Sequence, residues 1–184
     1  MLTDANIFDC SDYTSSALYA YSNGYGASYN GILNLGEDEV TLNFLETNSG
    51  LFLFLILDRP AASAAINENL QVTATTLLAN TQFTNDGFIK DDGSEVSISS
   101  NGQSVVGNFH WNHCCTDGFA VSGFSNASKE FDIQITFKKY QSGGTITKIS
   151  IETINHGRTT LKDGLDFQSG HSDIVTIGFR GKLP

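Results

Sequence analysis

The chain has few of the features that mark nucleic-acid-binding or membrane-spanning proteins. Its 184 residues include 10 Lys and Arg against 20 Asp and Glu, which gives a net charge of −10. Such an acidic surface repels phosphate backbones and anionic lipids. The longest apolar run, Leu51 to Leu57, is far too short to cross a bilayer. We therefore expect a soluble protein with no nucleic-acid partner and no membrane span.

A secretion signal is also missing from the N-terminus. Residues 1–8 contain no basic segment followed by a long apolar stretch, so no signal peptide is expected in this chain. The acidic composition suits an extracellular setting or the surface of a particle, and we expect the protein in such a location.

Cysteine is scarce, with Cys10, Cys114 and Cys115 as the only three. Adjacent cysteines rarely bond to each other because the geometry is strained. The disulfide candidate therefore joins Cys10 to Cys114 or Cys115, and the odd count leaves one thiol unpaired.

Sustained helical periodicity is absent, whereas period-two alternation and short apolar runs bounded by Gly, Asn and Asp recur throughout. The pattern predicts an all-β fold of about ten short strands with little helix, an antiparallel β-sandwich that resembles a jelly roll. We expect one domain over residues 31–184, preceded by a Tyr-, Ser- and Gly-rich arm or first strand over residues 1–30. A helical turn is expected only between Ala61 and Asn69. The longest predicted strands are Glu39 to Glu46, Gly50 to Leu57, Leu70 to Ala79, Phe119 to Phe124, Glu130 to Tyr140, Thr145 to Ile154 and Asp173 to Phe179.

A hairpin at Asn101-Gly102 is the clearest local signal. This pair tolerates positive φ at both central positions and favours a two-residue type I′ turn. The resulting register pairs Ile98 with Val105 and Val96 with Gly107. Apolar residues of both arms, including Phe109 and Trp111, then share one face.

His110, His113, Cys114 and Cys115 form a dense cluster of candidate metal ligands. Imidazole and thiolate are the ligands that zinc and copper prefer. The spacing is not that of paired zinc ligands, and the hairpin register puts His110 on the face opposite Trp111. A complete site would need a distant ligand such as His156, His171 or Cys10. The structural alternative is a strand end held by Trp111 and a disulfide.

An acidic loop offers a second candidate metal site. Asp86, Asp91, Asp92 and Glu95 supply carboxylates of the kind that calcium binds. Their spacing differs from an EF-hand, and Asp-Gly pairs are also ordinary turn residues. No cofactor is required by the sequence, and calcium is the candidate ion.

Five of the six tyrosines lie in the N-terminal stretch. A tyrosine ring combines an apolar face with a polar tip and suits partner contacts. We interpret this cluster as a contact surface for a protein or a glycan. Its members are Tyr13, Tyr19, Tyr21, Tyr25 and Tyr29.

No motif specifies a reaction. The chain has no Gly-x-Ser-x-Gly turn, P-loop or dinucleotide fingerprint. The carboxylates that a sandwich glycosidase would need are too numerous to choose among: Glu37, Asp38, Glu39, Glu46, Asp58, Glu152 and Asp166. We therefore favour a non-enzymatic binding or assembly module that contacts a glycan or a protein, including another copy of itself. The alternatives are a zinc or copper protein centred on the His–Cys cluster, and a jelly-roll carbohydrate-active enzyme.

Overall fold

The computed structural model describes residue 2 and residues 7–12, 19–21, 27–29, 39–57, 67–84, 95–112, 117–139, 146–152, 157–165 and 172–180. Within these ranges every regular element is a β-strand. In chain order the strands are β1 (Ile7–Cys10), β2 (Tyr19–Tyr21), β3 (Ala27–Tyr29), β4 (Glu39–Thr47), β5 (Gly50–Leu57), β6 (Asn67–Thr76), β7 (Val96–Ile98), β8 (Ser104–Asn112), β9 (Asp117–Val121), β10 (Phe131–Lys139), β11 (Lys148–Glu152), β12 (Arg158–Asp163) and β13 (Ser172–Phe179).

Two sheets pack against each other. A six-stranded sheet has the order β12-β11-β4-β5-β9, with β1 also paired to β4, and a five-stranded sheet has the order β13-β10-β6-β8-β7. Strands β2 and β3 form a separate antiparallel hairpin. The prediction of an all-β sandwich is therefore confirmed. No helix in the described part of the chain is long and apolar enough to cross a membrane.

The six-stranded sheet is mixed instead of purely antiparallel. Strand β4 pairs in parallel with β11 through Glu39–Leu42 and with β1 through Phe44–Thr47. Two short strands from distant parts of the chain thus share one edge of β4. The segment Ile7–Cys10, which belongs to the predicted N-terminal arm, lies in this sheet as β1.

Stacked phenylalanines join the two sheets. Phe44 of β4 stacks on Phe131 of β10 with ring centroids 4.7 Å apart, and Phe131 stacks on Phe179 at 5.7 Å. Offset ring pairs add to the hydrophobic gain from burial. Alternation along β10 and β13 delivers Ile133, Ile135 and Ile177 to the same interior, because successive side chains of a strand point to opposite faces.

The predicted hairpin register is confirmed, but the predicted turn type is wrong. Ile98 pairs with Val105 and Val96 with Gly107. Of the turn pair only Gly102 has positive φ, at 69°, whereas a type I′ turn needs it at both residues. The Gly102 amide donates to the Ser99 carbonyl at 2.8 Å, and the loop widens to residues 100–103.

Tertiary contacts explain the wider loop. The Thr76 amide donates to the carbonyl of Gln103 at 3.0 Å, and the Phe83 amide donates to the carbonyl of Gly102 at 2.7 Å. These two bonds tie the loop to the last residue of β6 and to the chain that follows it. A two-residue turn would move the carbonyl groups of Gly102 and Gln103 away from these two amides.

The expected helical turn at Ala61 to Asn69 is contradicted over residues 67–69. These residues begin β6, which pairs with β8 from Asn67 opposite Asn112 onward. The sheet ladder overrides the weak local helical preference. Residues 61–66 lie outside the described ranges. Strand β12 was not expected from the sequence because Leu161 is its only apolar residue.

The central strands of the six-stranded sheet are buried on both faces. Strand β5, which was predicted from a continuous apolar run, is buried on both sides, since Leu51 to Leu57 are all at most 5% exposed. On β4 both the core-facing Leu42 and the opposite-facing Asn43 are fully buried. We call the side that faces away from the five-stranded sheet the second face. It has an apolar half and a polar half.

Candidate functional site

The proposed zinc or copper cluster lies largely outside the described residues. The backbone of His110 belongs to β8 and pairs with Asn69. His113, Cys114 and Cys115 fall outside the described ranges, as do His156 and His171. Within those ranges no group of three or more His, Cys, Asp or Glu side chains is arranged to hold a metal ion. The cluster therefore stays a prediction.

The acidic calcium loop is described only at its end. Asp86, Asp91 and Asp92 lie outside the described residues. Glu95 is half-buried, and its carbonyl accepts a 2.9 Å hydrogen bond from the amide of Asn108. This bond continues the β7–β8 pairing by one residue, so the backbone of Glu95 serves the hairpin. Calcium binding stays a prediction.

Cys10 is a free, buried thiol at the end of β1. A disulfide from Cys10 to Cys114 or Cys115 therefore finds no support in the structure. Burial raises the pKa of the Cys10 thiol, and the charge of the neighbouring Asp9 raises it further. The pKa of Asp9 itself is lowered by hydrogen bonds from the hydroxyl and the amide of Ser11.

Three of the five candidate contact tyrosines lie in the small hairpin. Tyr19 pairs with Tyr29, and Tyr21 pairs with Ala27. Strand β3 of this hairpin contacts β9 of the six-stranded sheet. Tyr13 and Tyr25 lie outside the described residues. The structure thus brings Tyr19, Tyr21 and Tyr29 into one element, and their contact role stays a prediction.

Sheet edges differ in how well they are protected against pairing with another chain. Natural edge strands are kept short or carry charged residues. Strands β7 and β1 have three and four residues. Strand β12 carries Arg158, Lys162 and Asp163, and β9 is buried throughout. Each of these edges has a recognisable protection.

The outer edge of β13 lacks most of these protections. This strand has eight residues, Ser172 to Phe179, and pairs with β10 from Phe131 to Lys138 along its whole length. Among the described residues only Leu2 reaches the other edge, where its amide donates to the carbonyl of Gly178 at 2.9 Å. The backbone from Ser172 to Ile177 has no further described partner on that side.

The side chains of β13 leave this edge uncharged on its solvent side. Ser172, Ile174 and Thr176 point outward, and Ile174 is 52% exposed. The one charged residue, Asp173, points inward and pairs with Lys162 of the six-stranded sheet. We call the backbone edge from Ser172 to Ile177 the free edge.

Arg180 anchors the C-terminal end of β13. Its Nη1 donates to the Phe131 carbonyl at 2.6 Å, and its Nη2 lies 3.0 Å from Oδ2 of Asp132. Both partners belong to β10. The free edge is thus presented by a strand that is fixed to its sheet at one end and paired along its length.

The free edge borders a wide face of the five-stranded sheet that points away from the core. Thr136, Thr73 and Val106 continue the row that begins at Ile174. Among the positions of this face whose side chains the structure describes, only Asp132 and Lys138, near opposite ends of β10, are charged, and none is Phe, Trp or Tyr. We call it the open face, composed of Gln71, Thr73, Thr75, Ser97, Ser104, Val106, Asn108, Asp132, Gln134, Thr136, Lys138, Ser172, Ile174, Thr176 and Gly178.

A second group of polar residues lies on the second face of the six-stranded sheet and was not singled out as a site from the sequence. Glu39, Thr41 and Asn43 alternate along β4, and Ser150 and Glu152 alternate along β11. All five are at most 2% exposed. The register pairs Thr41 with Ser150, so the two rows lie side by side. We call these five residues the polar set. Glu39 and Glu152 were present among the many carboxylate candidates, but nothing in the sequence indicated their common burial.

No protein-family model, curated protein or solved structure matches the chain. Any function must therefore be argued from the free edge, the open face and the polar set.

Proposed function

We propose that the protein is a non-enzymatic assembly module that binds a second copy of itself through the free edge of β13. The observation that carries the proposal is the contrast among the sheet edges. Among the sheet edges that the structure describes, only the free edge combines length, an uncharged solvent side and an exposed apolar residue, Ile174 at 52%. Strand addition uses unpaired main-chain groups of this kind for affinity.

The charge distribution favours a second copy as the occupant. Two chains that each carry −10 repel one another over most of their surfaces. Association is least opposed where charge is sparse, which is along the free edge and over the adjoining open face, whose described side chains carry charge only at Asp132 and Lys138. The side chains that the structure describes on the open face include no Phe, Trp or Tyr, which disfavours sugar stacking there.

Antiparallel pairing of two β13 strands, one from each copy, brings the two free edges together. A two-fold axis at Ile174 places Ile174 opposite its own copy, Ser172 opposite Thr176 and Asp173 opposite Val175 of the second copy, so that paired residues share a face. The two Asp173 carboxylates then stay apart, and the bond between Leu2 and Gly178 is not displaced. A two-fold interface of this kind is self-complementary and closes at a dimer.

Sedimentation velocity on two variants tests the proposal. Ile174→Lys puts a charge on the edge strand, whereas Thr136→Lys puts it at the paired position on β10 within the open face. We expect the wild type and Thr136→Lys to form dimers with rising concentration, and Ile174→Lys to remain monomeric. A monomeric wild type at high concentration contradicts the proposal. Loss of dimers in both variants would assign the contact to the open face instead of the edge.

We further propose that the protein works outside the cell or on the surface of a particle. An acidic module that assembles through a sheet edge suits an extracellular or particle-surface location, where subunits meet at high local concentration. The net charge of −10 supports this placement because it keeps the remaining surface from associating.

A further inference from the structure

Lys162 of β12 and Asp173 of β13 form an ion pair that joins the end strands of the two sheets. Within its own sheet Lys162 is paired with Ile149 of β11. Asp173 is paired with Phe137 of β10. Both of these partners are fully buried members of the core, and directly opposed residues share a face of their sheet. The ion pair therefore forms on the inner faces of the two sheets, beside apolar side chains.

The carboxylate of Asp173 is poorly solvated. Its side chain is 10% exposed, and Oδ2 is buried without a hydrogen-bond partner among the described residues. The other oxygen, Oδ1, contacts Nζ of Lys162. A buried charge is costly unless it is both paired and hydrogen-bonded. An ionised carboxylate is therefore an unfavourable group at this position.

Glu39 and Glu46 also contact lysines, but their surroundings keep those carboxylates ionised. Glu39 receives Nη1 of Arg158 at 3.0 Å, and an arginine does not lose its proton in proteins. The side chain of Glu46 is 22% exposed, so water solvates part of its charge. The described contact of the Asp173 carboxylate comes instead from a lysine, whose ammonium group can give up a proton when it is desolvated.

We propose that Lys162 and Asp173 form an intramolecular isopeptide bond. Transfer of one proton from the ammonium to the carboxylate gives a neutral amine and a carboxylic acid, the forms that desolvation favours. The Nζ lone pair then attacks Cγ of Asp173. The hydroxyl of the acid leaves as water with a proton from the amine, and an amide bond between Nζ and Cγ remains. One water molecule is released, and no oxidant or other co-reactant is consumed.

The fold supplies the conditions that this condensation needs. Reacting groups that are held in position reach effective concentrations of about 10⁵ M or more, which offsets the opposing effect of water as solvent. The product is a neutral amide, and an amide oxygen without a partner costs far less to bury than a carboxylate oxygen. The side chain of Lys162 is 36% exposed, so the released water has a path to the solvent.

The isopeptide bond cross-links β12 to β13 and closes a loop over residues 162–173. A covalent link of this kind restricts the unfolded chain, as a disulfide does. It fixes the end strand of one sheet to the end strand of the other. Because the bond lies on the inward side of β13, it is independent of association through the free edge.

Intact-mass spectrometry of the denatured protein tests the bond. The wild type should be lighter than its sequence mass by one water molecule. Lys162→Arg keeps the positive charge but cannot form the amide, so it should have its full sequence mass. Lys129→Arg is the matched control at the more exposed pair with Glu46, and it should lose one water as the wild type does. A wild type at its full sequence mass overturns the proposal.

Tryptic digestion distinguishes the cross-link from a succinimide at Asp163-Gly164, which also forms with loss of one water. The cross-link blocks cleavage after Lys162, so residues 159–180 should be recovered as one peptide that carries the loss. A succinimide leaves the Lys162 amine free, and trypsin then cleaves after it. Cleavage after Lys162 in the wild type, or a loss of water that persists in Lys162→Arg, overturns the proposal.

Discussion

Arg158 reaches the buried carboxylate of Glu39 across the second face, with Nη1 3.0 Å from Oε1. The two residues lie on β12 and β4, separated in the sheet by β11. Because the guanidinium crosses over β11, it neutralises a carboxylate that water does not reach. Removal of one partner from such a pair leaves an uncompensated buried charge.

We expect Arg158→Leu to destabilise the protein by about 2–3 kcal/mol. This is below the usual loss for a buried pair because Arg158 is partly exposed and other donors remain on Glu39. Lys129→Leu, which breaks the more exposed pair with Glu46, should cost less than about 1 kcal/mol. Urea unfolding of both variants measures the difference. Equal losses of unfolding free energy in the two variants would show that the buried Glu39 carboxylate does not depend on Arg158 for its stabilisation.

Gly107 and Gly178 provide a matched pair for the packing of the five-stranded sheet. A Cβ at Gly107 would overlap the ring of Phe109, whereas a Cβ at Gly178 would meet Asp132 at an ordinary 3.4 Å. Neither glycine has positive φ, so the comparison isolates packing from backbone strain.

We expect Gly107→Ala to destabilise the protein by about 1–3 kcal/mol, the usual cost of overpacking a core. Gly178→Ala should be neutral or stabilising by up to about 1 kcal/mol, because alanine restricts the unfolded chain. Chemical denaturation checks both values. A neutral Gly107→Ala would mean that the Phe109 ring has room to move aside.

The Cys10 thiol should resist alkylation in the folded protein. Its burial raises its pKa, and the thiolate is the reactive form. Iodoacetamide at mildly alkaline pH, followed by peptide mapping, should label Cys10 slowly in the native state and rapidly in urea. Rapid native labelling would contradict both its burial and its raised pKa.

The same shift predicts a dependence of stability on pH. The folded thiol holds its proton to higher pH than the unfolded thiol, so the unfolded state loses its proton first as pH rises. Stability contributed by Cys10 is therefore intact below about pH 8.5, the ordinary thiol pKa, and is lost above it. Between about pH 8 and pH 10 the wild type should lose more stability than Cys10→Ala. Equal losses of stability in the wild type and Cys10→Ala would contradict the raised pKa of Cys10.

Local sequence patterns predicted the strands that have one apolar face or two. Alternation identified β10 and β13, and the continuous apolar run identified β5, because burial on one or both faces leaves those signatures. The register of Ile98 with Val105 followed from the same alternation. The turn type could not be predicted in this way. The carbonyl groups of Gly102 and Gln103 accept hydrogen bonds from the amides of Phe83 and Thr76, and these tertiary contacts are not encoded in the local sequence.

The candidate sites were harder to predict, because they depend on which strands become neighbours. Nothing local in Glu39 or Arg158 indicates that β11 will place them on one buried face. The exposure of Ile174 is likewise a consequence of sheet order, since β13 alternates like an interior strand and becomes an edge only by topology. Strand β12 was missed because its burial is slight and its residues are mostly polar.

Hydrogen exchange along β13 tests the central claim of assembly through the free edge most directly. Exchange should be followed by mass spectrometry on a peptide that covers Ser172–Phe179, in dilute protein and at a hundredfold higher concentration. Pairing of two free edges bonds outward-facing amides between Ser172 and Ile177, so these amides should exchange more slowly at high concentration, while peptides from β8 and β12 should not change. Unchanged exchange in β13, under conditions where sedimentation shows dimers, would place the contact elsewhere and contradict the account.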